Sequence, residues 1–132
     1  MSTLKVGTIA DTSGSTTSTP EQIEAGRIKA WVAFNGTGSI SVLDSYRVSS
    51  ITDTATGRYT VNWQDTQANT NYCISGIAQE YATGDTARTK GISLHNSTDS
   101  RTTTATKIAL GWVGNNDSGT VDSPYVSIQL CN

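Results

Sequence analysis

A chain of 132 residues has room for one hydrophobic core and not for two. Its net charge of -2, from nine Lys and Arg against eleven Asp and Glu, leaves no basic patch to neutralise phosphates, which argues against nucleic acid or an anionic membrane as partner. Only 15% of residues are charged, so the polar surface must be built from Ser, Thr, Asn and Gly, and the β-branched excess of Thr, Val and Ile favours strands over helices.

In chain order, Leu4 to Ile9 alternates weakly and reads as a short strand that needs a partner. Asp11 to Thr19 is a Ser/Thr/Gly stretch without an apolar residue, the composition of a flexible connector. Thr19-Pro20-Glu21-Gln22 combines a capping hydroxyl, a proline at the first helical position and a Gln three residues after the cap; with Gly26 placed as a left-handed C-cap, this predicts one short helix, Pro20 to Ala25. So short a helix must dock Ile23 onto something.

From Arg27 the period becomes two. Ile28, Ala30, Val32 and Phe34 share one side of a strand while Lys29, Trp31 and Ala33 share the other. Asn35-Gly36-Thr37-Gly38 supplies turn residues, predicting a hairpin of 28–34 with 39–43. A second hairpin joins Tyr46 to Thr52 with Arg58 to Trp63 through the turn Asp53 to Gly57.

Beyond the polar loop 64–71, Tyr72 to Gln79 reads as a strand in which Gly76 marks a bulge or a close backbone approach. A polar loop from Tyr81 to Thr89 follows, then strands at Lys90 to His95, Thr103 to Val113 and Tyr125 to Cys131, with turns at Asn96 to Arg101 and Gly114 to Gly119. The pattern predicts an all-β fold: an antiparallel β-sandwich or jelly-roll-like domain over 20–132 with one short helix, preceded by an extended arm and connector over 1–19.

The segments Ser2 to Gly14, Ser18 to Trp63 and Asp122 to Leu130 resemble a family of tail-fibre and other virion proteins of bacteriophages, especially marine and cyanobacterial ones. Ile28, Lys29, Ala30 and Trp31, Phe34 with the turn Asn35-Gly36, the step Ser49-Ser50-Ile51-Thr52-Asp53, and Tyr59-Thr60-Val61-Asn62 carry the likeness; Trp63 stands where the family usually has Phe. The likeness covers 2–75 well and 119–130 moderately, and fades from Ala78 to Asn116.

The resemblance implies a homotrimer in a virion, assembled in the host cytoplasm, with the arm (Leu4, Val6, Ile9) attaching to other virion proteins and a β knob at the far side. Ile23 and Trp31 are then candidates for the trimer interface. Where the likeness fades, a fibre tip would meet a host surface glycan or protein, and Tyr81, Asp85, Arg88 and Arg101 are the candidate contacts. The alternative is a capsid or tail decoration protein that binds no receptor.

Chemistry is sparse. One His and scattered acids offer no convergent catalytic set, so no enzyme activity, metal or cofactor is expected. His95 reads as a strand-end residue, with a metal role conceivable only if a trimer axis gathered three copies. Asp117 and Asp122 flank a turn and read as surface acids rather than a Ca²⁺ loop. The amino-terminal residues lack the pattern of a secretory signal, and no apolar run is long enough to insert in a membrane. Cys73 reads as a core residue, and the pair Cys73 and Cys131 reads as two buried thiols, with a bridge as the alternative.

Overall fold

The computed structural model describes residues 1–79, 89–95, 98–113 and 119–131. The protein is all-β: among the described residues 53% are strand and 5% helix. A two-residue ribbon, β1 (Ile9–Ala10) with β2 (Thr17–Ser18), leads into α1 (Pro20–Ala25). Eight strands then build two antiparallel sheets: β3 (Ile28–Asn35), β4 (Ser41–Tyr46), β5 (Val48–Ala55), β6 (Arg58–Trp63), β7 (Cys73–Ala78), β8 (Thr89–Leu94), β9 (Ala105–Val113) and β10 (Val126–Cys131). One sheet runs β4-β3-β10-β7 and the other β5-β6-β9-β8, so of the two architectures predicted it is the open sandwich that forms.

The four central strands carry the core because their alternation puts every second side chain between the sheets. Ala30, Val32 and Phe34 on β3 and Val126, Ile128 and Leu130 on β10 face Tyr59, Val61 and Trp63 on β6 and Ile108 and Leu110 on β9, and Tyr72 closes the cluster. Phe34 and Tyr59 meet edge to face across the layers, with ring centroids 5.2 Å apart. Thr106 is fully buried among them: its hydroxyl accepts from Trp63 Nε1 at 3.2 Å and pairs with the Tyr72 hydroxyl at 2.9 Å. The edge strands contribute only partly buried Val48, Ile51, Ile74, Ala78 and Ile92.

The helix forms as its sequence dictates. Thr19 Oγ1 accepts from the Gln22 amide at 3.2 Å while Gln22 Oε1 accepts from the Thr19 amide at 2.9 Å, a complete capping box. Its end departs from expectation. Gly26 is right-handed (φ -83°), because its N–H makes one more helical bond to the Gln22 carbonyl and the chain passes into β3 two residues later without reversing.

Three further segments differ from the sequence reading. Residues before Ile9 form no strand, and the supposed flexible connector is a tight turn. Asp11 Oδ1 accepts from the Ser15 and Thr16 amides at 2.9 and 3.3 Å, and the Ser13 hydroxyl donates to the same carboxylate. These bonds, led by that of Thr16, hold the Asp11 carboxyl below the usual carboxylate range.

The strand expected from Tyr46 to Thr52 is broken at Arg47, whose φ of 55° turns the chain from one sheet to the other. There the Arg47 carbonyl accepts from the Gln64 amide at 3.0 Å, and its side chain pairs with Asp65 at 2.6 Å. Gly76 is a close approach and not a bulge: pairing of β7 with β10 is unbroken, and a Cβ at Gly76 would collide with the Ser127 carbonyl oxygen and the Ile128 side chain.

Candidate functional site

The sandwich strands run lengthwise, so among the described residues the connections fall at one of two ends. At one end lie α1 and the amino-terminal arm, the Arg47 corner, loop 64–71, His95, residues 98–104 and the carboxyl end of β10. At the other lie the turns at Gly36–Gly38 and Thr56–Gly57, the segment 119–125, and the strand ends Gln79, Thr89 and Val113.

The arm end carries an apolar patch bordered by Lys5, Glu24 and Arg27. Leu4, Val6 and Ile9 converge with Pro20, Ile23 and the stem of Arg27 on a groove of about 470 Å³. Each of these three arm residues is exposed, Leu4 at 86%, and Ile23 at 40%. The residues expected to serve attachment and one expected to serve trimerisation therefore form a single patch that is open to water in this chain. Trp31 lies elsewhere, on the outer face of the first sheet opposite Tyr46 of β4 and Gln129 of β10, half-buried.

The far end is tied by Asp122. Its Oδ1 accepts from the buried Gly57 amide at 2.6 Å and from the Tyr59 hydroxyl at 2.7 Å. The hydroxyl is also 2.9 Å from the Gly36 carbonyl, while Lys90 Nζ donates to the Asp122 carbonyl at 2.9 Å. Next to it, Ser123 Oγ donates to the Gln79 carbonyl at 2.5 Å, and the Gly36 amide to the Ser123 carbonyl at 2.9 Å. One short segment thus fixes two hairpin turns and the strands flanking 80–88. Burial, then the hydrogen bond and charge of Asp122, pushes the Tyr59 phenol well above its ordinary value.

Of the four candidate receptor residues, Tyr81, Asp85 and Arg88 lie outside the described residues, as does Asp117. Arg101 is described, and it sits at the arm end, with Nη1 donating to the Tyr72 carbonyl at 3.3 Å. The antiparallel β8, six residues and about 20 Å long, separates it from the far end where Gln79 and Thr89 emerge. The structure therefore places Arg101 about one strand length from Gln79 and Thr89.

Cys73 is a correction as well: it is exposed on an outward position of β7, and Cys131 is partly exposed on β10, because the inward positions of these strands are the even-numbered ones. His95, at the end of β8, donates its backbone N–H to the Lys107 carbonyl at 2.9 Å. Among the described residues no three His, Cys, Asp or Glu side chains gather as a metal site. No protein-family model matches the chain, and neither a curated protein nor a solved structure matches it.

Proposed function

We propose that the protein is a structural component of a bacteriophage virion, a homotrimeric tail-fibre tip that binds the particle through its arm and a host surface glycan or protein through its far end. The observation that carries the reading is the polarity of the sandwich. An exposed apolar patch of Leu4, Val6, Ile9 and Ile23 marks one end, and the loops of the other end are held on a scaffold braced by Asp122. Exposed apolar groups clustered on one side favour burial against another chain, and loops on a rigid frame suit recognition.

In this reading the segment with Tyr81, Asp85 and Arg88 contacts the receptor, while Arg101, at the arm end, does not. Scattering mass of the purified chain tests the assembly: three times 13.9 kDa supports it, and a single chain mass at micromolar concentration sinks it. Adsorption to host cells then separates roles. Loss of binding with Tyr81→Ala supports the fibre tip, whereas unchanged binding together with labelling of the capsid assigns the protein to particle decoration.

A further inference from the structure

Cys73 and Cys131 stand directly opposite one another on the neighbouring strands β7 and β10. Opposed residues of an antiparallel pair have Cα atoms about 4.5 or about 5.5 Å apart according to the pair type. Both values fall inside the roughly 4.4–6.8 Å that a disulfide spans. The two thiols also share a face. Two positions along the same strands, the opposed outward pair Ser75 and Gln129 already joins side chain to side chain, Gln129 Nε2 donating to Ser75 Oγ at 2.7 Å. Neither thiol is sealed in the core, so a small oxidant can reach them.

We infer that Cys73 and Cys131 are a cross-strand thiol pair that closes to a reversible intrachain disulfide, with a low-molecular-weight disulfide as the oxidant. The thiolate of one cysteine attacks a sulfur of the small disulfide R–S–S–R and expels RS⁻, leaving a mixed disulfide. The thiolate of the other then attacks the protein sulfur of that bond and expels the second RS⁻. Two protein thiols lose two electrons, R–S–S–R gains them, and the two thiol protons leave with the two RSH products.

The bond would staple the exposed edge strand β7 to the central strand β10, whose last residue in the sheet is Cys131. Cβ atoms of opposed strand residues sit about 4.5–5.5 Å apart. A disulfide prefers about 3.8 Å, so closure draws the strands together and the bond is of the strained, easily reduced kind. This inference rests on strand register alone and stands whether or not the virion reading holds.

The test treats the reduced full chain with excess glutathione disulfide and follows it by intact mass, thiol titration and peptide mapping. The expected product loses two thiols and two hydrogen masses, carries a Cys73–Cys131 peptide link, and reverts with dithiothreitol. Cys73→Ser and Cys131→Ser should each stop at a stable glutathione adduct, because the resolving thiol is gone. Two thiols that persist, two glutathione adducts on one chain, or links only between chains would each overturn the inference. Circular dichroism of the serine variants distinguishes lost pairing from lost folding, and the wild-type product decides the matter even if a variant fails to fold.

Discussion

Replacing Asp122 with alanine removes the acceptor that ties the Gly57 amide and the Tyr59 hydroxyl to the last strand's approach. Hydrogen bonds to a charged partner contribute about 1.5–3 kcal/mol each, and orphaning a buried donor costs about 1–3 kcal/mol. The Tyr59 hydroxyl retains the Gly36 carbonyl at 2.9 Å, so its share is at the low end, while the buried Gly57 amide loses its acceptor. The sum is about 3 kcal/mol for Asp122→Ala and about 1 kcal/mol for Asp122→Asn, which keeps a neutral oxygen in place.

Urea unfolding followed by tryptophan fluorescence measures both variants, and a double-mutant cycle with Tyr59→Phe isolates their coupling. The same site sets an alkaline limit. Because the Tyr59 phenol is raised in the folded state, the folded protein holds a proton that the unfolded chain releases above pH of about 10. Its contribution is full below that pH and is lost as pH rises toward the folded value. Tyr59→Phe should therefore flatten the alkaline fall in stability. An Asp122→Ala variant within about 0.5 kcal/mol of the parent, or an alkaline slope untouched by Tyr59→Phe, would refute the reasoning.

Three other outcomes are expected. Thr106→Val removes the hydroxyl that satisfies Trp63 Nε1 inside the core and should cost about 1–3 kcal/mol in the same unfolding assay, while the Tyr72 hydroxyl keeps the Thr102 and Ala105 carbonyls. Gly76→Ala drives a Cβ into the Ser127 carbonyl and should cost about 1–3 kcal/mol, read as a lowered urea midpoint. The turn at Asp11 should open in acid: a lowered folded pKa means its contribution is present above the unfolded value and is lost as pH falls through the folded one. The protection factors of the Ser15 and Thr16 amides, that is their NMR exchange rates divided into the intrinsic rate at each pH from 6 down to about 2, should fall in the parent, and in Asp11→Asn the acid step should vanish.

Much of the frame was legible in the sequence because it is local. The capping box at Thr19 and Gln22, and the period-two rows through Phe34, Trp63, Leu110 and Leu130, depend on neighbours within a few residues, and each forms as read. Arg47 was missed because no propensity rule marks an arginine for positive φ; the change of sheet imposes it, and the Gln64 amide bonded to the Arg47 carbonyl closes the corner. Asp122 looked like one more turn acid, and its partners Gly57 and Tyr59 lie 65 and 63 positions away.

Composition and periodicity by themselves determined an all-β chain, since strand alternation and burial obey the same two-residue period. Only the tertiary structure decided which loops share an end. Antiparallel order sets the two termini of β8 at opposite ends of the sandwich, which parts Arg101 from Gln79 and Thr89. It also decided the fate of the cysteines: strand register, which no local pattern reveals when the partners are 58 positions apart, sets Cys73 outward and opposite Cys131.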